Sequence, residues 1–160
     1  MTEDEVKARF LTAFNKLTAN RKGLIEDCRL ARTAISDTTA IDAELAEMRR
    51  EIEVVTELSR KAIYDNARTA QSQSDFNERN DDYLERHRKA TERIDELEAL
   101  KRERFAKGKT LDRFIADIEK RPLALAEFDE NVWLTTVDMV TVATDGAMTF
   151  TFRNSSEITA

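Results

Sequence analysis

Two apolar runs, each stepping alternately by four and by three, constrain this chain more than any other feature. The first is Ile41, Leu45, Met48, Ile52 and Val55, continuing as Ser59, Ala62, Asn66 and Thr69. After the polar stretch Gln71-Ser72-Gln73-Ser74, the second runs Phe76, Asn80, Tyr83, His87, Ala90, Ile94 and Leu97. It continues less cleanly through Leu100 or Lys101 to Arg104 or Phe105, and Gly108 is expected to close it. This spacing is the seam of a coiled coil. Folded back as an antiparallel hairpin with its turn inside Gln71–Ser74, the seams pair Met48 with Leu97, Ile52 with Ile94, Val55 with Ala90, Ser59 with His87, Ala62 with Tyr83, and Asn66 with Asn80. Large residues then meet small ones, as a packed seam requires. Arms of about 30 residues would reach about 45 Å.

The seam changes character along its length. Ile, Leu and Met fill the layers near the base, whereas Ser59–His87 and Asn66–Asn80 lie toward the tip. Apolar burial stabilises the first kind and does little for the second. The expectation is an arm firmly rooted and loosely zipped at its end. Tyr64, Phe76 and Tyr83 are candidate protein-contact residues at that tip. Tyr83 also fits a plain role capping the hairpin's own core, and Phe76 fits either role. The single histidine, His87, is read as a seam residue or as part of a tip contact, not as a catalyst.

Around the two runs the pattern is shorter. Thr2-Glu3-Asp4-Glu5 has capping-box spacing, and Val6, Phe10, Ala13 or Phe14, and Leu17 then share one helical face. The same phase resumes at Leu24, Cys28, Ala31 and Ile35 after Asn20 and Gly23. Residues 21–35 can lie beside the arm as a third strand or stay in the base; the sequence leaves both open. Thr110 is expected to cap a short helix carrying Leu111, Phe114, Ile115 and Ile118, which Pro122 ends. Asp129 reads as the N-cap of a turn ending in Trp133. Val140 and Val142, then Met148, Phe150 and Phe152, alternate as strands about an Asp145-Gly146 turn. A two-stranded hairpin is not stable alone, so its apolar face needs a covering partner.

Only 3 Gly and 1 Pro stand in 160 residues, which excludes a large all-β fold. With 36% charged residues, no window approaches the roughly 18 apolar residues of a membrane span, and no signal peptide opens the chain. One cysteine excludes an internal disulfide or a thiol-built zinc site within the chain. The net charge of −6 argues against a chain coated in nucleic acid. The imbalance is local: beyond residue 122, six acidic residues face Arg153 alone. Lys101, Arg102, Arg104, Lys107, Lys109 and Arg113 face only Glu103 and Asp112, and this short basic segment is the candidate DNA-backbone contact, against the plainer reading of a solvated helix face. Catalytic chemistry has no support. One imidazole allows no Ser-His-Asp set beyond itself, three isolated glycines make no phosphate loop, and the carboxylates are interleaved with Lys and Arg. The chain is read as not an enzyme, without cofactor, soluble and cytoplasmic.

The fold class expected is mainly α: a long antiparallel coiled-coil hairpin on a small helical base, with a C-terminal β-hairpin. The base comprises residues 1–38 and 108–137, the arm residues 39–107 with its tip near 70–75, and the tail residues 138–160.

Phe128-Asp129-Glu130-Asn131-Val132-Trp133, Val137-Asp138-Met139-Val140-Thr141-Val142, the Asp145-Gly146 turn and Thr149-Phe150-Thr151-Phe152-Arg153 together resemble the extreme C-terminal signature of large serine recombinases, the site-specific integrases and resolvases of bacteria and their mobile elements. Ala13-Phe14-Asn15-Lys16-Leu17 is similar to the segment after the zinc ribbon there, and Ile63 to Arg79 is similar to the hairpin region of the transposon-borne branch. The resemblance implies a bacterial protein whose coiled-coil arm reaches other recombinase subunits through its tip, holding two DNA sites in synapsis and controlling directionality. DNA would lie beside the base, bound weakly or only by the full-length protein. The catalytic serine domain and the ribbon cysteines of that family are absent, as is the glycine expected in the final turn Asn154-Ser155-Ser156. The chain therefore reads as a C-terminal fragment with Met1 an imposed start, its tail completing a zinc-ribbon body upstream and any zinc belonging there. Self-association is expected to be weak, since Asp65, Asp75, Glu78, Asp81 and Asp82 crowd the tip against Arg68 and Arg79. A free-standing coiled-coil adaptor or tethering protein with no DNA role is the competing reading.

Overall fold

The structure, a computed structural model, describes residues 2–69 and 72–160. It is mainly helical with a small antiparallel sheet near the C-terminus. The helices are α1 (Glu3–Thr18), α2 (Arg21–Ser36), α3 (Thr39–Arg68), α4 (Gln73–Lys120) and α5 (Glu130–Thr136). The strands are β1 (Val137–Val142), β2 (Met148–Phe152) and β3 (Glu157–Thr159). The chain divides into two compact units, one of residues up to 36 with 105–160, the other of residues 37–104.

In the first unit, α1 begins with the expected capping box: Thr2 Oγ1 accepts from the Glu5 amide, and Glu5 Oε2 accepts from the Thr2 amide at 2.7 Å. Its inward face buries Phe10, Ala13, Phe14 and Leu17, so Ala13 and Phe14 both point into the core. They meet Cys28 of α2, Leu111, Phe114 and Ile118 of α4, Val132 of α5, and Met148, Phe150 and Phe152 of β2. The Phe10 ring is the hub. Its centroid lies 5.0 Å from Trp133, 5.7 Å from Phe128, 5.8 Å from Phe14 and 6.2 Å from Phe150. The expected lone β-hairpin is instead a three-stranded sheet in the order β1-β2-β3. Its buried face is covered by α1, so Met148, Phe150 and Phe152 have their packing partners within this unit.

Side chains tie the outer elements down. Asp129 caps α5, accepting from the amides of Asn131 (2.8 Å) and Val132 (3.1 Å). Arg21 closes the end of α4 by donating to the carbonyl oxygens of Arg121 and Ile118. Arg29 pairs with Glu119 and Arg32 with Asp112, so α2 belongs to this unit.

Gly108 does not end a helix, and Thr110 does not start one; both lie inside α4, which is continuous for 48 residues. A Cβ at Gly108 would stand 3.1 Å from the guanidinium carbon of Arg32, the mobile end of a long side chain. Thr110 spends its hydroxyl on the Ala106 carbonyl at 3.1 Å. At Gly146, φ is +85°, as the Asp145-Gly146 turn predicts, and Asp145 Oδ1 accepts from the Ala147 amide at 3.0 Å.

In the second unit α3 and the first part of α4 run antiparallel. Ion pairs cross between them at Asp42–Lys101 (2.6 Å), Glu44–Arg93 (2.7 Å), Arg49–Glu98 (3.3 Å) and Glu51–Arg86 (2.8 Å). Ile41, Leu45 and Leu97 form the buried cluster, with Ile94 against it. Met48, the expected partner of Leu97, is not among the residues packed on this cluster, whereas Val55 and Ala90, also expected to pair, are both buried. Thr69 is extended (φ −127°, ψ 134°), and Gln73 and Ser74, expected within the turn, are already helical. Ser72 starts α4, its carbonyl accepting from the Phe76 amide at 3.1 Å. Ala70 and Gln71, part of the expected tip, lie outside the described residues.

Candidate functional site

Burial within the second unit is confined to one end. Val55 and Ala90 are the last buried pair; among the described residues of 56–69 and 72–89 none is buried. There the polar seam residues leave the two helices separated by a groove of about 350 Å³, lined by Val55, Ser59, Ile63, Tyr83, Leu84 and His87 among others. Ile63 and Leu84 are 56% and 59% exposed. A polar layer such as Ser59 with His87 has too little apolar area to close the seam, and the flanking apolar side chains stay in water.

Of the three expected contact residues, Tyr83 alone lines this groove. Tyr83 is half-buried in the groove wall and Phe76 is half-buried near the start of α4. Tyr64 is exposed, but the Arg68 guanidinium lies over its ring at 5.1 Å and donates to its hydroxyl. His87 lines the groove together with Ser59, its expected seam partner. It is exposed, and Nδ1 lies 3.5 Å from Thr91 Oγ1. Ile63 and Leu84 were missed by the seam pattern because each sits one position beyond it, after Ala62 and Tyr83. Their signal is an apolar residue on the flank of a seam that has turned polar.

The basic segment is divided between the two units, and much of its charge is engaged. Lys101 pairs with Asp42, and that hydrogen bond, with one from Thr38, holds the Asp42 carboxyl below its ordinary range. Arg104 donates to the Asp37 carbonyl at 2.9 Å. The Lys109 ammonium lies 5.4 Å from the centroid of the exposed Phe105 ring, and Lys107 has a partner as well. Arg102 is exposed. Arg113 borders a different groove, shared with Arg153.

Cys28 is buried, its Sγ accepting from Asn154 Nδ2 at 3.7 Å, and burial pushes the thiol up. A thiol held in that state is a poor nucleophile. Among the described residues, no group of three His, Cys, Asp or Glu side chains is arranged to hold a metal ion. No helix among them is long and apolar enough to cross a membrane. Compared with known proteins, the chain matches no family model, no curated protein and no solved structure.

Proposed function

We propose that α3 and the antiparallel part of α4 form a coiled-coil arm whose weakly packed end docks on another protein subunit, and that the chain is the C-terminal part of a site-specific DNA recombinase in which this contact joins subunits during synapsis and controls directionality. The observation that carries the docking reading is the groove at Ile63, Tyr83 and Leu84, in a stretch with no buried residue among those described. An apolar surface rimmed by charge, on helices whose own seam is polar, suits a contact that is made and released. The recombinase reading is supported by the sequence resemblance and by the order of long paired helices, capped α5 turn and antiparallel strands.

The engagement of Lys101 and Arg104 favours a second reading, an adaptor or tether without a DNA role. Backbone amide NMR on a dilution series of the chain tests the docking. Shifts that grow with concentration and fall on residues 56–89, and that vanish in Leu84→Glu, support contact between copies of the arm. Shifts absent at the highest soluble concentration, or located elsewhere, overturn it. Gel mobility with a DNA duplex at low salt separates the two readings of the whole.

A further inference from the structure

A groove of about 470 Å³ lies in the first unit between α4, α5 and the residue that follows β2. Ala116 and Leu134 give it apolar wall, and Leu134 is 58% exposed. Two guanidiniums border it. Arg153 is held in place, its amide bonded to the Thr136 carbonyl at 2.8 Å and its Nη2 donating to the Leu134 carbonyl at 3.1 Å. That leaves most of its donors unspent. The Arg113 side chain has no hydrogen-bond or ion-pair partner among the described residues.

The other polar groups of the lining are already used. Asp117, its one carboxylate, pairs with Arg121 at 3.3 Å. Thr110 and Thr135 give their hydroxyl protons to the carbonyls of Ala106 and Asn131. What remains is a rim of cationic N–H donors beside an apolar wall. Planar guanidinium forks match oxyanions in bidentate fashion. A carboxylate has two oxygens and satisfies one fork; a phosphate group has enough for both.

We propose that this groove binds a phosphate group between Arg113 and Arg153, with the less polar body of the phosphate ester lying against Leu134. The shared chemistry is the phosphate, whether carried by a nucleic-acid backbone or by a free nucleotide. The site stands on the first unit alone and does not depend on docking by the helical pair.

NMR of the arginine Nε–H groups and of the backbone amides near Arg113, Leu134 and Arg153 tests it, with inorganic phosphate, adenosine monophosphate and a short DNA duplex as separate titrants. The expected result is saturable shifts at these groups with phosphate. Arg113→Gln weakens binding about tenfold or more. Arg113→Lys, which keeps the charge and loses the fork, also weakens it, and Arg102→Gln leaves it unchanged. Non-saturating drift, or drift shared equally with Arg102, overturns the proposal. Competition between the duplex and phosphate at these resonances assigns the source to nucleic acid; binding of the monophosphate without a response to the duplex assigns it to a free ester. Failure of the docking reading appears instead at residues 56–89, so the two outcomes are separable.

Discussion

Asn15 and Leu125 clasp each other at two points: Asn15 Nδ2 donates to the Leu125 carbonyl at 3.0 Å, and the Leu125 amide donates to Asn15 Oδ1 at 2.8 Å. The amide side chain thus replaces a strand partner for a segment that has none. It holds the coil after Pro122 against α1, assisted by Thr18 Oγ1 on the Leu123 carbonyl at 3.2 Å, and so delivers Phe128 and α5 to the Phe10 hub. Asn15→Ala is expected to cost about 1–3 kcal/mol, because two partly buried backbone groups lose their partners. Asn15→Asp should also destabilise, since it puts an acceptor where Nδ2 donates. Urea unfolding followed by Trp133 fluorescence measures both; wild-type midpoints in both variants would show the clasp to be idle.

Two turn positions give opposite expectations. Gly146 has φ +85° with open space around it, so Gly146→Ala meets only backbone strain and should cost about 1 kcal/mol. Ser155 carries φ 67° at the place where the sequence led us to expect glycine. Its turn is braced by Asn154, whose Oδ1 accepts from the Ser156 amide at 3.2 Å. Ser155→Gly should therefore stabilise by about 0.5 kcal/mol, the relieved strain exceeding the added freedom of the unfolded chain. Thermal melts of the two variants decide, and a matching sign in both would contradict the argument.

Exposed ion pairs cross between the two helices of the second unit and give it an acid-sensitive contribution. The Arg93 hydrogen bond keeps the Glu44 carboxyl below its ordinary 4.5, and Lys101 does the same for Asp42 below 3.8. Within α4, Arg88 lowers Glu85 to about 2. A carboxyl depressed in the folded state stabilises it above the unfolded value and loses that contribution as the pH falls through the folded one. Helicity of residues 37–104 should fall as the pH drops from about 4.5 toward 2. Circular dichroism across that range measures it, and Glu44→Gln should flatten the upper part of the curve. A flat wild-type curve would mean the cross-helix pairs contribute nothing.

The two ends of the helical pair should respond differently to truncation. Val55 is 2% exposed, and Val55→Ala should cost about 1–3 kcal/mol. Leu84, mostly in water, should change stability by no more than about 0.5 kcal/mol when replaced by Ser. Denaturant midpoints of the two variants test this, and a large cost for Leu84→Ser would mean that its side chain packs in the folded pair.

What the sequence made legible was local or periodic. The Thr2 box, the Asp129 cap and the Asp145-Gly146 turn are short-range signals, and each appears where its residues place it. The phase of Phe10, Ala13, Phe14 and Leu17 identified the core face of α1 for the same reason. A heptad fits its partner at more than one offset, so the sequence alone ranks offsets of α3 on α4 only weakly; Val55 and Ala90, paired in the expected one, are both buried, and Ser59 and His87 line one groove. Gly108 misled because glycine often ends a helix, whereas here α4 runs on through it. β3 is three residues long and carries almost no pattern of its own. That Arg113 and Arg153 line one groove depends on tertiary packing that no spacing encodes.

The unburied stretch beyond Val55 and Ala90 has a thermodynamic corollary. Where side chains are close-packed, as around Phe10, a newcomer would have to dislodge neighbours first, and that reorganisation would subtract from its affinity. Alongside Ile63 and Leu84 it displaces only hydration, so even a small complementary surface starts with its full hydrophobic gain intact.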